Sequence, residues 1–371
     1  MKTLLGVTGI GLGHATRSHA VFDELKRRKS RTKVVSWGEA VKYYKKNKVN
    51  VSEIPGYTYR GYDFNFDVLY NVLESFKEPG KLNKGYKSFK RHAKDFKPDI
   101  IFSDSEPNSF FYAYKHSIPN YTLLNLVSTI NNFKSIPKKF VTRQLKLQRL
   151  MVERLVSFMM KKGDRFYVPA FERRVKYMEK VKFIDLIVRK NYSELPNITD
   201  IREKYELPEN FYYVHVGGAE IEQPLFKVLR KTLPKFKDKF FVVSSNYQTK
   251  KVIEEKNMRI YPFVNNAMEF VKACDGIVSP AGHSGMSEAI VYKKPMMVIP
   301  IKNHIEQLVN AVLLKKEGFG EACMLDRNIS VPILKLHLDN FFSKEDKYKD
   351  NLRDAGFRGK GAEQIARDML K

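Results

Sequence analysis

Cysteine is scarce in this 371-residue chain: Cys274 and Cys323 stand far apart and form no CxxC pair. That excludes a disulfide framework and a cysteine zinc site, and suits buried thiols in a reducing cytoplasm. Long apolar runs are missing too, since none approaches the ~18–20 residues that cross a bilayer. The opening Met1–Val7 has the length of a short secretion signal. However, Gly9, Gly11 and Gly13 interrupt the apolar stretch and Arg17 stands where a small-residue cleavage site belongs, so a first β-strand is expected. Acidic side chains are the third shortage: 41 Asp and Glu face 67 Lys and Arg, a net charge of +26. The shortage is uneven. Residues 1–190 hold 39 basic and 17 acidic side chains (+22), whereas residues 191–371 hold 28 and 24 (+4). Self-repulsion of this size opposes folding, so the excess speaks of a partner. No nucleic-acid-binding motif accompanies it, and a nucleic-acid partner is not expected.

What is present is globular, with 43% hydrophobic and 29% charged residues. Strand and helix patterns alternate throughout, which implies βαβ crossovers and mainly parallel sheets. The rhythm runs from Thr3–Thr8 to Arg165–Val168, then restarts at Phe211–Val216 after the polar stretch Asn191–Glu209. Two doubly wound α/β domains are expected, at 1–190 and 191–350, with a terminal helix in 351–371 packing back on the first.

Each domain opens with glycines straight after a strand. In Gly9-Ile10-Gly11-Leu12-Gly13-His14 they let the backbone approach a phosphate or sugar at a helix N-terminus. As a dinucleotide fingerprint the loop is off-pattern, because the third glycine comes one position early and only Glu39 follows strand two as a ribose acceptor. A turn that merely packs helix on strand stays open as a reading. His14 falls at the carboxyl edge of the sheet, where a neutral imidazole can act as general base on a hydroxyl; a helix-capping histidine is the plainer alternative. Asp104 ends another strand of the same half, and converging strand ends would make a His–Asp dyad. In the second half, Gly217 and Gly218 follow a strand, and Ser279-Pro280-Ala281-Gly282-His283-Ser284-Gly285-Met286-Ser287-Glu288 runs from a strand into a helix. Backbone N–H groups of His283, Ser284 and Gly285, with the Ser284 hydroxyl, would cradle a diphosphate, and Glu288 either accepts from a ribose diol or simply favours the helix dipole. Glu306 and Gln307, at the next helix start, either hold sugar hydroxyls or cap the helix.

These residues resemble glycosyltransferases of the GT-B fold, which have two facing Rossmann-like domains with acceptor on the first and nucleotide-sugar donor on the second. The likeness points to the branch containing the lipid-linked N-acetylglucosaminyltransferase of peptidoglycan synthesis and the diacylglycerol glycosyltransferases, with a less characterised archaeal and bacterial group. It runs from the first strand to Gly361-Ala362-Glu363-Gln364-Ile365-Ala366, and its main signature is Gly282 through Glu288, then Pro295, Pro300, Glu306-Gln307 and Asn310-Ala311. The resemblance implies a UDP-sugar donor held by Gly13, Gly217, Gly218, Phe263, Gly282, His283, Ser284, Gly285, Ser287, Glu288, Glu306 and Gln307. Within that set Glu288 takes the ribose, Glu306 and Gln307 take the sugar, and Phe263 lies in the segment that reads the uracil. His14 and Asp104 match the base and helper of inverting members. Two departures stand out: His283 to Glu288 is a shorter interval than in plant-type members, and Ala219-Glu220 replaces the usual serine. The nearest thing to a metal-holding Asp-x-Asp pair is Asp104-Ser105-Glu106, in the acceptor half, so neither a metal nor another cofactor is expected.

The charge then bears on the acceptor. Residues 138–162 carry eight basic side chains against Glu153, interleaved with apolar ones. A helix so patterned suits an anionic membrane surface, and also suits an ordinary core-facing position. Tyr57, Tyr59, Tyr62, Phe64 and Phe66 form an aromatic loop for an acceptor cleft, a membrane or the core. The expected activity is transfer of a sugar from a UDP-sugar to a lipid or lipid-linked hydroxyl, on the inner face of the cell membrane. A UDP-sugar 2-epimerase of the same fold and a non-catalytic basic binding protein are the alternatives.

Overall fold

The computed structural model describes residues 1–371 except 57–60, 63, 67–78, 173–178, 217–221, 246–250, 263, 265 and 327. Its described strands are β1 (Lys2–Val7), β2 (Arg31–Ser36), β3 (Val51–Glu53), β4 (Gly61–Tyr62), β5 (Asn65–Phe66), β6 (Ile100–Asp104), β7 (Asn120–Leu123), β8 (Arg165–Pro169) and β9 (Val181–Ile184) in the first half. The second half has β10 (Tyr212–His215), β11 (Phe241–Ser244), β12 (Ile253–Glu255), β13 (Met258–Tyr261), β14 (Gly276–Ser279), β15 (Met296–Val298) and β16 (Gly320–Ala322). The described helices are α1 (Gly13–Arg27), α2 (Gly38–Lys46), α3 (Pro79–Phe96), α4 (Pro107–Lys115), α5 (Leu126–Asn132), α6 (Arg143–Lys162), α7 (Ile198–Tyr205), α8 (Gln223–Thr232), α9 (Ala267–Ala273), α10 (His283–Val291), α11 (Ile305–Glu317), α12 (Val331–Phe342), α13 (Glu345–Asp354) and α14 (Gly361–Met369).

The first sheet has the order β3-β2-β1-β6-β7-β8-β9 and the second β12-β13-β11-β10-β14-β15-β16. Every neighbouring pair is parallel except β12 with β13. Parallel strands are covered by crossover helices on both faces, so they carry apolar runs rather than alternation. All five residues of β6 are accordingly buried, Ser103 and Asp104 included. The strand order reverses between β1 and β6 and again between β10 and β14, and the carboxyl ends of such switch points are where open α/β sheets leave a crevice for ligands.

The two halves are strapped together in several places. β5 crosses to the second half, where Phe66 N–H donates to the Lys302 carbonyl (2.9 Å) and Lys302 N–H to that of Phe64 (3.1 Å). Phe64 thereby fills the second half's core beside Val214, Val278 and Met297, while the Phe66 ring lies 5.1 Å from that of His304. Of the aromatic loop, then, Phe64 serves the core; Tyr57 and Tyr59 lie outside the described residues. The polar stretch after residue 190 contains α7, started by the Asn197 side chain accepting from Asp200 N–H (2.9 Å) and anchored in the second core by Ile201. Finally, α14 returns to the first half, where Ala362, Ile365, Ala366 and Met369 join Leu5, Val21 and Leu25 in one cluster.

Candidate active site

The first switch point assembles its residues because β1 and β6 are in register, Val7 opposite Asp104. The chain leaves β1 through a turn in which Gly11 has φ +65°, a backbone state that side chains disfavour, and enters α1 at Gly13. His14 thus stands over the end of β6. Its Nδ1 lies 2.9 Å from Asp104 Oδ1, so the dyad expected from the two strand ends is formed. A carboxylate only accepts, which assigns a proton to Nδ1, so that the lone pair of the neutral ring is on Nε2. The His14 side chain is 28% exposed and that of Asp104 is wholly buried.

Asp104 has two more partners. Arg17 Nε donates to Oδ2 (2.8 Å) while its Nη2 reaches Oδ1, and the Ser18 hydroxyl donates to Oδ2 (2.7 Å). Burial pushes the Asp104 carboxyl up, but Arg17 and then His14 outweigh it and hold the group well below the usual carboxylate range. Arg17 itself is pulled down by burial and pushed up further by Asp104. Neither carboxylate of Asp104-Ser105-Glu106 is left over: Glu106 caps α4, accepting from Asn108 N–H (3.0 Å), from the Asn108 amide (2.8 Å) and from Ser109 N–H. Among the described residues no cluster of three or more His, Cys, Asp and Glu side chains is placed to hold a metal ion.

The second switch point faces the first. Helix α10 begins at His283, and its first internal bond runs from Met286 N–H to the Gly282 carbonyl (3.1 Å). The N–H groups of His283, Ser284 and Gly285 therefore point out of the helix end with its positive potential. The side chains there are turned elsewhere than the sequence suggests. The Ser284 hydroxyl donates across the cleft to the Gly13 carbonyl (3.0 Å), an approach so close that a Cβ on Gly13 would sit 3.2 Å from that oxygen. The Ser287 hydroxyl bonds back to the His283 carbonyl (2.9 Å). His283 points into the first half, Nε2–H donating to the Pro169 carbonyl (2.9 Å) with the ring 5.2 Å from that of Phe171. Burial, then Arg17, pushes its pKa down to about 4, so this imidazole is neutral.

Glu288 is buried and held by both arms of Arg189, Nε to Oε1 at 2.5 Å and Nη2 to Oε2 at 2.8 Å. Burial lowers the Arg189 pKa, but Glu288 more than offsets that and raises it overall. Glu306 and Gln307 open α11. The Gln307 Oε1 accepts from Ile301 N–H (2.9 Å), its N–H is capped by His304 Nδ1 (3.4 Å), and Asn125 Nδ2 reaches Glu306 Oε1 at 3.5 Å. Burial pushes Glu306 up, yet His304, His283, Arg17 and His14 together keep it below its ordinary value. That one carboxylate feels all four groups places it between the two switch points. Gly217, Gly218 and Phe263 lie outside the described residues.

Arg17, Ser18, Arg189 and Asn125 were not foreseen as site residues. Arg17 and Ser18 stand three and four positions after His14, one turn along the same helix face, and that spacing was a usable signal. Asn125 follows the end of β7 and answers to the strand-end rule; its Oδ1 is buried without a partner. Arg189 meets Glu288 from 99 residues away, and nothing local announces it.

The family glycosyl transferase family 1 matches residues 1–340 of this chain. An uncharacterized glycosyltransferase of Methanosarcina mazei is 26% identical over 95% of this chain and 93% of its own length. The UDP-N-acetylglucosamine–N-acetylmuramyl-(pentapeptide) pyrophosphoryl-undecaprenol N-acetylglucosamine transferase of Clostridium botulinum is 23% identical over 95% and 94%. In three dimensions the chain is similar to a calicheamicin glycosyltransferase, with TM-score 0.67 at 13% identity over 99% of this chain and 97% of the other. Two facing parallel sheets with their switch points across one cleft are the GT-B arrangement, and with the family match they make this chain a glycosyltransferase of glycosyl transferase family 1.

Proposed function

We propose that the protein moves a sugar from a UDP-sugar to the hydroxyl of a lipid or lipid-linked acceptor, with inversion and without a metal. The observation that carries this reading is the His14–Asp104 bond at the first switch point, opposite the open amino end of α10. As the acceptor hydroxyl attacks the anomeric carbon, its proton passes to His14 Nε2. A new C–O bond forms, the bond from that carbon to the diphosphate oxygen breaks, and UDP leaves with the electron pair. Charge growing on the diphosphate is met by the N–H groups at the start of α10. Glu288 serves the ribose once the donor displaces Arg189, and Glu306 with Gln307 serves the sugar. The peptidoglycan transferase among the relatives uses a UDP-N-acetylglucosamine donor, which supports a uridine nucleotide here.

Support for a lipid acceptor comes from the surface. Leu150, Met151, Leu155 and Phe158 of α6 are exposed, as are Phe111 and Tyr114 of α4. Phe111 and Phe158 touch (5.8 Å between centroids) and Lys162 lies 4.8 Å over the Tyr114 ring. The opposite face of α6 is core: Leu145, Gln148, Val156 and Met159 are buried. The helix thus fits both alternatives at once, with one face packed and an apolar stripe rimmed by Lys115, Arg154, Lys161 and Lys162 left outside. Anionic lipid is its complement, as the stripe inserts among acyl chains while the cations meet headgroups. No described helix is long and apolar enough to cross a membrane, which agrees with peripheral attachment.

Incubation with labelled UDP-sugars and extracted lipids tests the reading. Label moving into the organic phase in the presence of EDTA supports it; an epimerised sugar, or no reaction with any uridine nucleotide, overturns it.

A further inference from the structure

We propose that Arg17 is a positioning residue that keeps Asp104 ionised and fixed on His14 Nδ1, so that the base is oriented before the acceptor arrives. This rests on His14 being the base. Asp104 is wholly buried, and a carboxylate in such a place with only a neutral imidazole for company would be heavily penalised. It would relieve the penalty by drawing a proton onto itself, and a protonated Asp104 no longer fixes the Nδ1–H tautomer of His14. Arg17 closes that route. Its guanidinium does not give up its proton, and its fork takes one direction on each Asp104 oxygen. Ser18 takes a further direction on Oδ2, so the vacant one on Oδ1 points at His14.

The contact between Arg17 Nη2 and His14 Nδ1, 2.9 Å, fits this account. Both atoms are donors and do not bond each other; they lie close because both converge on Oδ1. The charged groups facing His14 are Arg17 on its own helix, Asp104 from β6, and Glu306 from α11, with His283 of α10 behind them. When the ring does take the acceptor's proton, Glu306 and the departing diphosphate supply the opposing negative charge. Arg17 therefore biases the resting state, while the far side of the cleft accommodates the reacting one.

Kinetics of Arg17→Gln, Arg17→Lys and His14→Ala, each checked for native circular dichroism, test the inference. Arg17→Gln is expected to lose about 100-fold in kcat with donor KM within about twofold, and the acid limb of its kcat–pH profile should move to higher pH. Arg17→Lys, a point charge without a fork, should recover the pH profile but only part of the rate. Methylguanidine added to Arg17→Ala should restore activity in a saturable way. A folded Arg17→Gln enzyme with ordinary kcat overturns the inference, and so does a loss of rate with an unmoved pH profile, which a merely structural arginine would give. If Arg17→Gln does not fold, Arg17→Ala with and without methylguanidine decides: saturable recovery of the rate with return of the pH profile supports the inference, and no recovery overturns it. Failure of the underlying reading looks different: His14→Ala retains turnover, and the inference falls with it. An inactive His14→Ala beside a normal Arg17→Gln removes the inference alone.

Discussion

The two halves share one plan, a seven-stranded sheet with a crevice at its switch point, but they finish that crevice differently. In the first half the polar groups are wired within the half: His14, Arg17 and Ser18 on one helix converge on Asp104 of one strand. In the second half they are wired across the cleft, with Glu288 to Arg189, His283 to Pro169 and Ser284 to Gly13. The difference fits the two tasks of the proposed reading. A base must be preorganised, because misplacement costs rate directly. A donor site must admit and release a nucleotide, and groups held by the opposite half are groups that domain motion can free.

His14→Ala is the severest challenge to that division. It should lower kcat about 1,000-fold while donor binding, followed by thermal shift with UDP, stays intact. Loss of UDP binding as well would mean that the two crevices do not divide the work. The charge asymmetry is sharpened by Leu155→Glu with Phe158→Glu, which should weaken binding to anionic vesicles about 30-fold and leave transfer to a detergent-dispersed acceptor unchanged. Binding that ignored both salt and anionic-lipid content would detach the +22 of residues 1–190 from any membrane role.

A smaller effect concerns the cross-cleft histidine. The folded-state pKa of His283, about 4, lies below its ordinary value near 6.5. Its neutral form is favoured only in the folded protein, so the unfolded chain binds the proton more readily. The contribution is complete above about pH 6.5 and is lost as the pH falls toward 4. Unfolding free energies from urea titrations at pH 7 and pH 5 should differ by on the order of 1–2 kcal/mol more in the native protein than in His283→Asn. An equal difference in both would place the acid sensitivity elsewhere. Smallest of all is Ser284→Ala, which removes one exposed bond between the halves. About 1 kcal/mol of interface is lost and donor KM shifts by threefold or less, measured by initial rates over a UDP-sugar series.

The sheets were legible because parallel strands print themselves as short apolar runs between glycine, proline and aspartate, as Ile100–Asp104 and Gly276–Ser279 do. The edge strand Gly320–Ala322 was not: it is three residues of low strand propensity, held in place by its neighbour Met296–Val298. In the site, His14 and Asp104 were readable since both end strands, and strand ends at a switch point converge whatever lies between. Their third partner, Arg17, was hidden among many arginines of a basic half. Side-chain direction at α10 was least readable. Whether Ser284 and His283 face a phosphate or the other half depends on how closely two separately folded sheets approach, and no local pattern encodes that distance.

The return of α14 to the first half has a consequence for the order in which this protein is made. The residues closing the cluster around Leu5, Val21 and Leu25 include Ala362, Ile365, Ala366 and Met369. Translation delivers the first half long before those residues leave the ribosome. Until they do, one side of α1, the helix that carries His14 and Arg17, has no cover. The half that holds the proposed base is closed only after the second half has been made, so the nascent chain carries an uncovered apolar seam until α14 emerges, and chaperone capture should map to α1.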